Sequence, residues 1–175
     1  MKELVLYIAQ SLDGYIARTN ESIDWLLLFD DESTAERYNL FMDTIDTIVM
    51  GYSTYRQVTE ELSVDNWPYN DKKVYVLTHR ELVNPYGVQF VHGDVSELIK
   101  SLKQSTEKNI WLVGGSKIIE QCMRAKLIDR YIITIIPTIL SEGIPLFEKT
   151  LKSTPLRQIK TVQLKNCVEC EYINV

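Results

Sequence analysis

The stretch Ile110-Trp111-Leu112-Val113-Gly114-Gly115-Ser116-Lys117-Ile118-Ile119 constrains the fold more than any other in the chain. A short apolar run stops at two glycines, and a helix-like pattern then begins with a serine and a lysine. Adjacent glycines let backbone approach a ligand closely, and amides at a helix start attract anions. The arrangement predicts a strand that leads a pyrophosphate-sized anion onto a helix N-terminus. Gly-Gly is also an ordinary turn, so the segment takes its weight from two others of the same kind upstream.

Bulk properties narrow the field. A chain of 175 residues, read as a single domain over 1–175, is long enough for a substantial core. Its net charge of −5 argues against nucleic acid or an anionic membrane as the main partner, while leaving room for a small anionic ligand in a local positive pocket. No apolar run approaches the roughly 20 residues that span a bilayer, and the N-terminus lacks a signal-peptide pattern. Cytoplasmic location is expected. The three cysteines, Cys122, Cys167 and Cys170, fit a reducing compartment. Cys167-Val-Glu-Cys170 has redox or metal spacing, but no second pair or nearby histidine completes a set. We read two thiols on opposite faces of a strand and expect no metal.

Strand and helix patterns alternate along most of the chain. Apolar runs predict strands over 4–10, 47–50, 73–78, 88–92 and 110–113. Helices are expected over 33–43, capped by Ser33 or Asp31, and over 53–62, 94–104 and 117–125. In the 94–104 segment Val95, Leu98, Ile99 and Leu102 share one face. Asp13-Gly14 marks a turn, and Asn66-Trp67-Pro68-Tyr69-Asn70 a loop. The last fifty residues change character: 128–138 is rich in β-branched residues, and 156–164 with 167–174 resembles a hairpin turning near Lys165-Asn166. The order implies a three-layer α/β/α fold, with a mixed, mostly parallel sheet finished by antiparallel C-terminal strands.

In such sheets ligands bind beyond the carboxyl ends of the strands. The first strand ends in Ala9-Gln10-Ser11-Leu12-Asp13-Gly14-Tyr15-Ile16-Ala17, the second in Met50-Gly51-Tyr52-Ser53-Thr54-Tyr55. Ser53 and Thr54 lie where a helix begins, so capping and phosphate binding would use the same donors. The third ends in Val76-Leu77-Thr78-His79-Arg80. A hydroxyl, an imidazole and a guanidinium together suit a phosphate monoester, the guanidinium through paired donors. His92 reads as a surface residue at a strand end.

These segments resemble the dihydrofolate reductase-like proteins. Met50-Gly51-Tyr52-Ser53-Thr54-Tyr55 is similar to their GRxTY-type segment, and Val113-Gly114-Gly115-Ser116 to their Gly-Gly turn. Ser11-Leu12-Asp13-Gly14-Tyr15-Ile16-Ala17 resembles the subgroup related to the reductase domain of riboflavin biosynthesis. Leu127-Ile128-Asp129-Arg130-Tyr131, Pro137, Gly143 and Pro145-Leu146-Phe147 match the C-terminal pattern of that subgroup, in order.

The resemblance implies a sheet of about eight strands and an NADPH-dependent reductase. It assigns Gly51, Tyr52, Ser53 and Thr54 with Gly114, Gly115, Ser116 and Lys117 to the pyrophosphate. Thr78, His79 and Arg80 would meet the adenosine 2′-phosphate, and Ala9, Ile16 and Ala17 would border the nicotinamide. A cis peptide is implied at Gly114–Gly115. Two departures stand out. The basic residue that commonly follows the first glycine is Tyr52 here, which shifts phosphate recognition to Arg80, with Arg56 or Lys117 in support. The acid that binds pterin in folate reductases aligns with Ala35; Glu32 and Glu36 flank it, but neighbouring helix residues point about 100° apart.

Hydride transfer to a C=N or C=O bond also needs a proton, and Asp13, Glu32 and Glu36 are the candidates for that role or for substrate contact. The riboflavin-pathway reaction of this family reduces a phosphorylated ribosylaminopyrimidine, usually beside a zinc deaminase domain whose motif this chain lacks. The expected substrate is a small pyrimidine- or pterin-like heterocycle. The alternatives are a nucleotide-binding protein without turnover, or dihydrofolate reduction. The resemblance also implies a homodimer, for which the apolar segment 132–139 suits an interface strand or equally a core strand.

Overall fold

Residues 2–83, 86–149 and 151–175 are described by the computed structural model. Eight strands form one sheet in the spatial order β5-β4-β3-β6-β1-β7-β10-β9. They are β1 (Leu4–Ser11), β3 (Ile45–Gly51), β4 (Lys73–Leu77), β5 (Gln89–Val91), β6 (Asn109–Gly114), β7 (Arg130–Ile136), β9 (Leu156–Gln163) and β10 (Val168–Asn174). The six strands from β5 to β7 run parallel, whereas β10 runs antiparallel to both β7 and β9. The expected mixed, mostly parallel sheet is what the chain adopts.

Both faces are covered, which explains why the central strands read as nearly unbroken apolar runs. The two-residue period sends Leu4, Leu6, Val49, Ile110 and Leu112 to one face, where they pack with α4 (Val95–Ser105) and α5 (Ser116–Arg124). Val5, Ile48, Met50 and Trp111 go to the other, against α2 (Glu32–Met42) and α3 (Tyr52–Gln57). Ile99 and Ile119 are completely buried; each such side chain contributes about 1.5–3 kcal/mol relative to exposure. The β7 segment is an interior strand between β1 and β10, so core packing accounts for the apolar character of 132–136.

Short elements escape a sequence reading. The pair β2 (Tyr15–Ala17) and β8 (Ile144–Pro145) forms a separate two-stranded ribbon. A four-residue helix, α1 (Asp24–Leu27), precedes α2. None of the three is long enough to show a period. The helix expected over 53–62 is α3 followed by one π-helical turn, Val58–Leu62, closed by the Ser63 amide donating to the Val58 carbonyl at 2.8 Å. Asp31, not Ser33, caps α2: its carboxylate accepts from the Ser33 and Thr34 amides, and Thr34 Oγ1 accepts in return from the Asp31 amide. The loop over 66–70 carries side chains inward, with Trp67 and Tyr69 both buried. No helix among the described residues is long and apolar enough to cross a membrane.

Candidate functional site

Parallel strands end at the same edge of a sheet, and here those ends share one cavity. Val91 of β5, Leu77 of β4, Gly51 of β3, Val113 of β6, Ala9 of β1 and Thr134 of β7 all line a space of about 1150 Å³. Six neighbouring strands at about 4.8 Å spacing give it a span of roughly 24 Å. That length accommodates an extended dinucleotide with a second small molecule beside it.

The middle of the cavity is made of backbone. Gly51 and the cis peptide Gly114–Gly115 lie against each other, a Cβ built on Gly51 falling 3.7 Å from the Gly114 carbonyl oxygen and the Gly115 amide nitrogen. Gly51 has φ −81° and ψ 161°, and Gly115 has φ −74° and ψ −169°, conformations open to any residue. A Cβ on Gly115 would meet Thr54 Oγ1 at an ordinary 3.7 Å. Neither backbone strain nor internal packing therefore requires glycine at 51 or 115. Both positions line the cavity. No side chain caps α5, which leaves its first amides facing that space and attractive to an anion.

At the β4–β5 end, Thr78 and His79 line the cavity beside Tyr52. Arg80 does not line it. Its guanidinium lies over the Tyr52 ring, Cζ 4.6 Å from the centroid, while its amide donates to Thr78 Oγ1 at 3.1 Å. Tyr52 thus holds next to the cavity the arginine of another loop. Lys117 lines the space from the first turn of α5, whereas Arg56 is paired with Glu21.

The β1–β7 end is apolar and aromatic. Ala9, Ile16 and Ala17 form one wall; Tyr7, Tyr38, Tyr69 and Trp111 form another. Trp111 meets Tyr38 and Tyr69 edge-on, each at a centroid distance of 5.9 Å. Burial raises the Tyr69 hydroxyl far above the ordinary phenol value and also raises that of Tyr38, to which it is hydrogen-bonded. Burial also raises Tyr7, reinforced by the negative charge of Glu169. Asp30, Thr34 and Ala35 complete this end at the junction of α1 and α2.

All the residues that sequence assigned to the cofactor line this one cavity, Arg80 excepted. The three carboxylates singled out for substrate contact or proton supply do not line it. Asp13 is engaged elsewhere: it accepts from Ser11 Oγ at 2.7 Å and from the Leu140 and Ser141 amides at 3.1 and 2.8 Å, clasping the 138–141 loop to the end of β1. The bond from Ser11, with those from the two amides, holds its carboxyl below the ordinary range. Glu32 and Glu36 are exposed on α2, and it is Thr34, Ala35 and Tyr38 of that helix that turn to the cavity. Sequence reasoning passed over Tyr7, Asp30, Tyr38, Tyr69 and Trp111, which come from five separate segments with no shared motif. The cysteines are all buried and free.

Comparison with known proteins agrees with this geometry. The family model described as the RibD C-terminal domain matches residues 2–170. The uncharacterized protein YwjB of Bacillus subtilis (strain 168) is 39% identical over 173 residues, 98% of each chain. A crystal structure from Shewanella sp. PV-4, named for riboflavin biosynthesis, is 30% identical with a TM-score of 0.84, covering 99% of both chains. A Thermotoga maritima protein named as a diaminohydroxyphosphoribosylaminopyrimidine deaminase/5-amino-6-(5-phosphoribosylamino)uracil reductase shares the fold at 15% identity and a TM-score of 0.70. This chain spans 99% of its own length and 57% of that protein's. The architecture is dihydrofolate reductase-like, and the chain belongs to the RibD C-terminal domain family.

Proposed function

We propose that the protein is a reductase that binds NADPH across the β5-to-β6 part of the cavity and a small heterocycle at the β1–β7 end. The observation that carries this reading is the pair Gly51 and Gly115, glycines for which the fold itself has no need. Close approach of a pyrophosphate to bare backbone accounts for both. Ser53, Thr54, Ser116 and Lys117 add hydroxyl and ammonium donors around the same point. Thr78 and His79, with Arg80 held over Tyr52, would receive the 2′-phosphate. Ala9, Ile16 and Ala17 would flank the nicotinamide, their small or apolar side chains excluding water without blocking a flat ring.

The cofactor, when bound, supplies the hydride. The chain's own task is to hold the acceptor against it and to manage one proton. At the β1–β7 end the groups able to donate or orient that proton are the hydroxyls of Tyr38 and Tyr69 and the carboxyl of Asp30, the Tyr7 hydroxyl being hydrogen-bonded to Glu169.

Calorimetric titration with NADPH and NADH tests the reading. NADPH should bind at least about tenfold more tightly, the worth of one charge-assisted phosphate contact. Screening pyrimidine and pterin acceptors for NADPH oxidation then tests turnover. Failure to bind either dinucleotide overturns the assignment.

A further inference from the structure

The two ends of the cavity differ in charge. Among the described residues that line it, Lys117 is the only lysine or arginine, and it stands at the α5 N-terminus near Gly115. At the β1–β7 end Asp30, an acid, lines the space, and the remaining carboxylate of the lining, Glu21, is paired with Arg56. Phosphate groups are held by guanidinium, by ammonium or by open helix amides, and that end offers none of these.

Three guanidinium groups are committed elsewhere, and Lys165, next to the cavity-lining Leu164, does not itself line the space. Arg37 sits on α2 between the cavity-lining Ala35 and Tyr38, yet its guanidinium turns away to Glu169, with Nε donating to Oε1 at 3.0 Å, and lies 3.7 Å from Glu171. There it lines a second, smaller cavity of about 260 Å³. Arg18 is tied to Asp24 and Arg56 to Glu21. The N-terminus of α2 adjoins the cavity through Thr34, but the Asp31 carboxylate already occupies the Ser33 and Thr34 amides, and Glu32 adds a second acid to that turn.

We infer, resting on the reductase reading, that the acceptor carries no phosphate: it is an uncharged, planar, amino-bearing heterocycle. The rings of Tyr7, Tyr38, Tyr69 and Trp111 supply apolar and edge contacts to a flat molecule. The Asp30 carboxylate accepts from its N–H groups. A phosphate dianion brought to this end would meet no cation among the lining residues and would face an acid. The substrate therefore differs from the phosphoribosylated uracil in the name of the Thermotoga maritima protein.

The test is a set of calorimetric titrations on the intact protein. The first is with NADPH alone, and its failure would count against the reductase reading itself. With NADPH saturating, the protein is then titrated with 5-amino-6-(ribosylamino)uracil and with its 5′-phosphate. The phosphate-free compound should bind at least about tenfold more tightly, the cost of bringing the dianion beside an acid with no cation. Equal or tighter binding of the 5′-phosphate overturns the inference. Binding of neither, with NADPH bound, overturns the assignment to an amino-bearing heterocycle. In Ala35→Arg, a cation placed at this end should raise affinity for the 5′-phosphate at least about tenfold; no gain would show that the acceptor is held elsewhere.

Discussion

Replacing Gly51 by alanine should separate ligand binding from stability. On the stability side two effects oppose each other. Alanine has fewer unfolded conformations than glycine, which favours the folded state by about 0.4–1 kcal/mol where φ and ψ are compatible. At φ −81° and ψ 161° they are. Gly51 is also the N-cap of α3, where alanine is poorer than glycine by about 0.5–1 kcal/mol. The new methyl adds no clash, its nearest contacts being at 3.7 Å. The net change should lie within about 1 kcal/mol, or roughly 2–4 °C in Tm. On the binding side, a methyl in the cavity displaces the pyrophosphate from backbone donors, each charge-assisted bond being worth about 1.5–3 kcal/mol. Affinity for NADPH should fall roughly 10- to 150-fold. Thermal denaturation and calorimetry on the same preparation give both numbers. Gly143→Ala is the contrasting control: φ is +154°, and its Cβ would lie 2.3 Å from the Ala17 carbonyl oxygen. That variant should lose stability by about 1–3 kcal/mol. Wild-type NADPH affinity in Gly51→Ala, or a large fall in its Tm, would refute the argument that a ligand is what requires this glycine.

Three further outcomes are expected. Arg80→Ala should weaken NADPH about tenfold or more while leaving NADH nearly unchanged, and removing a cation–π contact worth about 0.5–1 kcal/mol should barely move the melting curve; equal effects on both dinucleotides would refute the 2′-phosphate assignment. Arg37→Met leaves the Glu169 carboxylate, whose side chain is fully buried, without its cation, and urea unfolding should report a loss of about 3–5 kcal/mol. Asp13 has its folded pKa held below the ordinary 3.8 by the bonds from Ser11, Leu140 and Ser141. Its contribution to stability is therefore complete above the unfolded pKa and is lost as pH falls through the lower, folded value. Asp13→Asn should flatten the pH dependence of Tm in that acid window, and an unchanged acid limb would contradict the clasp.

The end of the cavity proposed for the cofactor was legible because its residues are neighbours in sequence. Gly51 to Thr54, Thr78 to Arg80 and Gly114 to Lys117 each follow directly from a buried strand, and parallel strands carry all such ends to one edge. The end proposed for the acceptor was not legible. Asp13 drew attention as an acid after a strand, yet whether its carboxylate faced the cavity or the 138–141 loop depended on a segment more than a hundred residues away. Glu32 and Glu36 stood close to the right position on the right helix, but Thr34, Ala35 and Tyr38 are what α2 turns to the cavity. Tyr69 lay in a segment recognisable only as a loop, and its inward course is settled by packing against Trp67 and Trp111.

The sequence by itself determined the layers and the clustering of glycines and hydroxyls at the strand ends. Both rest on local physics: apolar period, helix capping, and glycine where backbone must stay bare. Only the tertiary structure decided that Arg37 faces Glu169 instead of the cavity, that Arg80 rests on Tyr52, and that five scattered residues line one end of the cavity. Contacts between residues distant in sequence depend on where whole elements pack, and no local pattern records that.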